Sequence, residues 1–208
     1  MTATQTPSLG TTETPSPGET HRPLRADARR NRERILESAR QVFAECGADA
    51  QIDDVARHAR VGVGTVYRHF PTKEALMVEL VRQQFRLFAD RAREALEELE
   101  DDDASFTALE AVMRRNAETT ASDAALRYVL TAAGQHIWDQ ARDEQQDLMS
   151  ATEELLGRAR SAGKVRADAR SSDVGMLMCG VCSTMGRIAP GFDWRRHLEL
   201  AIDTLRPR

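Results

Sequence analysis

Proline is nearly missing from the middle of the chain. Between Leu24 and Pro190 only Pro71 occurs. With so few breaks, helices are permitted almost throughout. Lysine is scarcer still: of 29 basic residues only Lys73 and Lys164 are lysines, and the rest are arginine. Cysteine is limited to Cys46, Cys179 and Cys182. An odd set in a chain of 208 residues argues against a disulfide framework and suits a reducing cytoplasm. No apolar run approaches the roughly 18 residues that a membrane helix needs. The N-terminus lacks the basic stretch and apolar core of a signal peptide. No segment alternates like a strand. There is no phosphate-cradling glycine loop after a strand, no metal-ligand set and no nucleophile–base pattern. An enzyme is therefore not expected, nor a cofactor, nor a metal. Cys179 and Cys182 alone are too few for a closed zinc site and read as buried structural thiols.

What remains is helical periodicity in a chain that is 41% hydrophobic and 30% charged. Residues 1–24 are the exception. They hold four of the seven prolines and almost nothing apolar, and are expected to form a disordered tail. The net charge of −4 hides an uneven split. Residues 25–74 carry ten basic and eight acidic side chains, whereas residues 75–208 carry 18 and 23. Local field matters more than the total, and the positive part contains the chain's clearest motif.

That motif spans residues 52–74. Val55, Ala56 and Ala59 recur at helical spacing. Val61, Gly62, Val63 and Gly64 then read as a sharp turn. Thr65 to Phe70 form a second helix of barely two turns, with Val66 and Phe70 facing inward. Pro71 disfavours helical geometry at Phe70 and ends it. Thr72 can cap the next helix. Two short helices around a tight turn are the pattern of a DNA-reading helix-turn-helix. A preceding helix over 27–46 presents Ile35, Leu36, Ala39, Val42, Phe43 and Cys46 on one face and stops at Gly47.

Residues 61–76, VGVGTVYRHFPTKEAL, together with 32–47, RERILESARQVFAECG, resemble the DNA-binding domain of the TetR (tetracycline repressor) family of bacterial transcriptional regulators. The resemblance is specific over residues 25–80. Two positions depart from the family pattern: Arg60 replaces a turn glycine, and Gly62 a small polar residue. The resemblance implies that Val63, Gly64, Thr65, Tyr67, His69 and Lys73 face DNA. Arg68 is the best candidate for a guanine contact, and Val63 for a thymine methyl. A lysine at a helix N-terminus opposes the helix dipole, and a nearby phosphate would reverse that sign, so Lys73 is expected to contact phosphate.

Downstream, helices are expected over 73–99, 105–119, 123–137, 139–162, 172–187 and from Asp193 to the C-terminus, making about nine in all. The helix over 172–187 carries one apolar stripe, including Val174, Leu177, Met178, Val181, Met185 and Ile188, and a surface of small residues. A helix apolar nearly all round is buried on two sides. The second side suits a partner chain. The resemblance implies a homodimer through the last two helices, with Cys179, Cys182, Ser183, Gly186, Trp194, Leu198 and Ile202 at the interface. Two-fold symmetry would then require a palindromic operator. It further implies a pocket for an unknown small-molecule effector, for which Phe85, Phe88, Met113, Tyr128, Trp138, Met149 and Met176 are candidates.

The expected architecture is thus all-α: a tail over 1–24, a three-helix DNA-binding domain over 25–72, and an effector-binding and dimerisation domain over 73–208. The expected function is a cytoplasmic, sequence-specific regulator of double-stranded DNA, a repressor released by an effector. The competing reading is a helical adaptor whose helix-turn-helix binds protein.

Overall fold

The computed structural model describes residues 21–186 and 191–207. Residues 1–20 of the expected tail, and Ile188 of the expected apolar stripe, lie outside the described residues. Ten α-helices and no strand occur among those described: α1 (His21–Cys46), α2 (Ile52–Ala59), α3 (Val63–His69), α4 (Lys73–Glu97), α5 (Ser105–Ser122), α6 (Ala124–Ala132), α7 (Gln135–Gln140), α8 (Arg142–Ser161), α9 (Ser171–Thr184) and α10 (Trp194–Asp203). The all-α expectation holds, with three corrections.

First, α1 begins at His21 rather than residue 27, so the expected tail loses its last four residues to a helix. Second, one helix expected over 123–137 is two. Ala133 (ψ 114°) and Gly134 (ψ 170°) are extended and separate α6 from α7. The Trp138 indole N–H donates to the Ala133 carbonyl at 3.1 Å, satisfying an acceptor that the break exposes. Third, Val63 and Gly64 belong to α3 and not to the turn before it.

Local signals fix most other boundaries. Gly47 at φ +52° follows α1, where any Cβ would be strained. The Thr72 hydroxyl accepts from the Ala75 N–H at 3.1 Å and caps α4. Asp123 caps α6 and Asp193 caps α10 in the same way, each at 2.9 Å.

Two large hydrophobic cores organise the described residues, with a small third cluster of Ala89, Ala92 and Ala151 between α4 and α8. The first joins Ile35, Leu36, Val42 and Phe43 of α1 to Val55 of α2, Val66 of α3 and Leu76 to Phe85 of α4. Ala125, Val129, Ile137 and Ala141 belong to the same core. The second gathers Phe106, Leu109 and Met113 of α5, Leu155 and Leu156 of α8, Val174 and Val181 of α9, and Leu198 and Ile202 of α10. Burying such a side chain contributes about 1.5–3 kcal/mol. The division of cores therefore does not coincide with the 72/73 boundary. It runs through α4, and α6 and α7 pack with the N-terminal helices.

Charged groups tie these layers. Arg32 of α1 reaches Glu79 of α4 at 2.8 Å, and its guanidinium lies 5.2 Å from the Phe70 ring centroid at the end of α3. Arg86 stands 3.6 Å from the same Glu79 and 2.6 Å from Glu144 of α8. Arg82 donates to the Gln140 carbonyl at 2.6 Å. Glu79 is a buried carboxylate in need of such partners.

Candidate nucleic-acid interface

The turn between α2 and α3 is a complete Schellman motif. Arg60 takes the left-handed position, at φ 53° and ψ 45°. Its N–H donates to the Arg57 carbonyl at 3.2 Å, and the Val61 N–H to the Ala56 carbonyl at 3.1 Å. Val61 packs against the first core, providing the apolar contact that usually accompanies this motif. The departure at Arg60 thus leaves the turn geometry intact, because the backbone bonds hold an arginine where glycine would be unstrained. Gly62, the other departure, is the extended N-terminal flank of α3, and its carbonyl accepts from the Thr65 N–H at 2.8 Å.

Helix α3 is two-sided. Val66 and Phe70 are fully inside, at 0% and 3% exposure. Val63 and Tyr67 are outside, at 38% and 47%. A Cβ built on Gly64 would meet nothing within 4 Å, so the backbone is open to close approach. Arg68 is exposed, whereas Thr65 and His69 are half-buried. The exposed tyrosine excludes packing under α1. Val63, Gly64, Tyr67 and Arg68 therefore share an outward surface at the start of a short helix, with Thr65 and His69 at its margin. Such a helix fits a major groove.

Lys73 is placed differently from what its position suggests. Its ammonium donates to the Ala48 carbonyl at 2.7 Å and lies 5.7 Å and 5.8 Å from the Phe43 and Tyr128 ring centroids. It closes the turn after α1 from below. Its place in the fold accounts for a cation at the start of α4 without any phosphate.

The seven aromatic and methionine residues expected to line one pocket are dispersed. Phe85 stacks on Trp138, with ring centroids 6.0 Å apart. Tyr128 instead meets Phe43 and Lys73. Met113 is sealed in the second core. Phe88 is half-buried beneath Arg91. Met149 borders an open recess of about 510 Å³ beside Glu153 and Arg160. Met176 is 66% exposed on the rim of an open groove of about 610 Å³ between α9 and α10, which also holds Arg166, Asp173 and His197. Neither recess joins the seven, because spacing along separate helices does not specify where those helices meet. The aromatic reading also passed over Gln84 and Arg91. Both are polar residues on α4, and each has a buried donor nitrogen without a partner. Nothing local in the sequence marks them, because polar residues are frequent along the whole of α4.

The interface residues also divide. Leu198 and Ile202 are 3% and 0% exposed within this chain's own second core and are not available to a partner. Trp194 is half-buried, with Arg195 lying 4.3 Å from its ring centroid. Cys179, Ser183 and Gly186 are exposed, alongside Gly175 and Met176, while Cys182 is half-buried. Burial pushes the Cys182 thiol up to about 11, with neighbouring Cys179 adding to the rise and a hydrogen bond with Thr120 opposing it. A thiol so raised is a poor nucleophile and a poor metal ligand. No group of three or more potential metal-ligating side chains occurs among the described residues, and no described helix is long and apolar enough to cross a membrane.

Comparison with known proteins agrees with this geometry. The model of bacterial regulatory proteins of the tetR family matches residues 35–80. The model of the C-terminal domain of SbtR-like transcriptional regulators matches residues 104–207, half of the chain. A TetR transcription regulatory protein from Mycobacterium vanbaalenii is 35% identical, with a TM-score of 0.60, over 88% of this chain and 99% of that one. A TetR transcriptional regulator from Streptomyces coelicolor is 34% identical, with a TM-score of 0.58, over 85% and 98%. An HTH-type transcriptional regulator from Staphylococcus aureus is 35% identical over 66 residues, which span 31% of this chain and about a third, 36%, of that relative. These relatives are named as regulators and not as enzymes. By the sequence of both halves and by its fold, this chain belongs to the TetR family of DNA-binding transcriptional regulators.

Proposed function

We propose that the chain is a cytoplasmic repressor that binds a palindromic operator as a homodimer and leaves it when a small molecule occupies its C-terminal half. The observation that carries the DNA contact is the two-sidedness of α3. Its inner face is fully buried, while Val63 and Tyr67 are held out to solvent on a helix whose glycine permits close approach. Arg68 reads a guanine, Val63 touches a thymine methyl, and Thr65, Tyr67 and His69 bond phosphates. Lys73 adds at most a long-range field, since its ammonium is directed at Ala48.

The dimer reading rests on α9. Its outer side presents Gly175, Met176, Cys179 and Ser183 in a row, and Leu200 of α10 is also exposed, at 47%. Exposed apolar patches on a folded chain mark interaction surfaces. A two-fold interface there sets the spacing of two α3 helices and so the spacing of operator half-sites.

The test is fluorescence anisotropy against the DNA upstream of the chain's own gene, with a shuffled fragment as control, across a salt series. The expected preference is roughly a thousandfold or more. Arg68→Ala should reduce that preference by relaxing one position, at about 1–3 kcal/mol. Equal, weak binding to both fragments would favour an adaptor that contacts protein.

A further inference from the structure

Helix α4 carries two buried donors that lack an acceptor. Gln84 of α4 is 3% exposed, and its side-chain nitrogen has no hydrogen-bond partner. The Nε of Arg91 is also buried and unpartnered. Residues 84, 88 and 91 are one helical face, since i, i+4 and i+7 align. Arg91 fixes the direction of that face. Its Nη1 donates to Asn116 Oδ1 and Thr119 Oγ1 of α5, each at 2.9 Å. Arg91 therefore looks toward α5, with the Phe88 ring 5.9 Å from its guanidinium, and Gln84 lies on the same helical face two turns earlier.

The charge on this face is unbalanced as well. Every hydrogen-bond acceptor that Arg91 meets is neutral. Burial, and next the charge of Arg115, lower its pKa, with Glu94 only partly opposing them. Arginine stays charged regardless. No carboxylate bonds this partly buried guanidinium, and Glu94 acts on it only at a distance. A buried amide donor without an acceptor costs about as much as a lost hydrogen bond. Gln84 and Arg91 are two turns apart, about 10 Å.

We infer that α4 and α5 hold an elongated small-molecule anion, its carboxylate on Arg91, its apolar middle on Phe88, and a second acceptor, a carbonyl or another carboxylate, on Gln84. This inference rests on the effector reading and gives that ligand its chemical class. Three bonds of extended chain span about 3.8 Å, so a chain of about eight carbons matches the two-turn rise from Gln84 to Arg91.

The probe is the monomethyl ester of suberic acid, titrated into the full-length protein by calorimetry. Octanoate is compared because it lacks the second acceptor, and 1,8-diaminooctane because it inverts the charge. Saturable binding of the ester is expected, about tenfold tighter than octanoate, with no binding of the diamine. Gln84→Leu and Arg91→Met should each weaken the ester about tenfold. Gln84→Leu should leave the unliganded protein at least as stable, because it removes a buried donor with no partner, so lost binding in that variant is not lost folding. No saturable binding of the ester, or equal binding in both variants, overturns the inference. Operator anisotropy separates it from the effector reading. If the ester binds through both residues and operator affinity does not move, the site stands and the effector reading falls. If another small molecule releases the operator equally from the parent chain and Gln84→Leu while the ester does not bind, the effector reading stands and this site falls.

Discussion

Replacing Arg60 with glycine should stabilise the protein. Arg60 is the sole non-glycine residue with positive φ among those described, at +53°. The left-handed region costs an L-residue about 1–2 kcal/mol. Glycine removes that cost but loses more backbone freedom on folding, which returns about 0.5–1 kcal/mol. The net gain is about 0.5–1 kcal/mol. For a chain of this size, about 1 kcal/mol moves Tm by roughly 2–4 °C, so calorimetry should show a rise of about 1–4 °C. Arg60→Ala is the control. Alanine keeps the Cβ and therefore the strain, so its Tm should stay near that of the parent. Operator affinity should be unchanged in both variants, because the Schellman hydrogen bonds are backbone bonds and keep α3 in place. A fall in Tm for both variants would refute the reasoning: the arginine side chain, and not the backbone, would then be holding the turn.

Lys73→Ala should lower Tm by roughly 2–4 °C, about the loss of one hydrogen bond, and leave the salt slope of operator binding unchanged; a slope smaller by about one unit would return Lys73 to the phosphate backbone. Ile202→Ala should destabilise the folded chain by about 2–5 kcal/mol, because the residue is fully enclosed in the second core. Met176→Arg should instead leave the fold intact and shift the sedimenting species toward monomer; a dimer that tolerates this arginine would move the interface elsewhere. Burial disfavours the ionised form of Glu144, yet hydrogen bonds from Arg86 and its own backbone and the charges of Arg82 and Arg86 outweigh that and hold its carboxyl below the usual 4.5. A depressed carboxyl contributes stability that is present above 4.5 and lost as pH falls through its folded value. Glu144→Gln should therefore flatten the acid limb of the stability curve, and an acid limb identical to the parent would remove Glu144 from that role.

The N-terminal half was legible because its signals are local. Val66 and Phe70 four apart, Pro71 after Phe70 and Thr72 before Lys73 each act within one or two turns, and the structure realises all of them. The start of α3 was misplaced because Gly62 and Gly64 look alike in sequence; only the backbone shows that one flanks the helix and the other lies inside it. Farther along, contacts between distant helices decide. Leu198 and Ile202 repeat at the same spacing whether they face a partner or their own core, and the packing of α10 against α9 chose the core. Trp138 stacks on Phe85 across 53 positions, which no local period encodes. The break at Ala133 and Gly134 was missed because an isolated glycine is tolerated inside many helices, and the indole bond that stabilises the break is visible only in three dimensions.

The ion pairs on α4 have a mechanical meaning. Arg32 grips Glu79 while covering the ring that ends α3, and two turns farther on Glu144 grips Arg86. Within about 10 Å of one rod, the helix-turn-helix and the C-terminal half are bolted to the same shaft. A pull on α8 would reach α1 and the end of α3 through side chains and a single helix, with no loop in between. Beyond Arg86 the same rod is fastened again, by Arg91 to Asn116 and Thr119 of α5 and by Arg93 to Asp147 of α8, so α4 is held along most of its length.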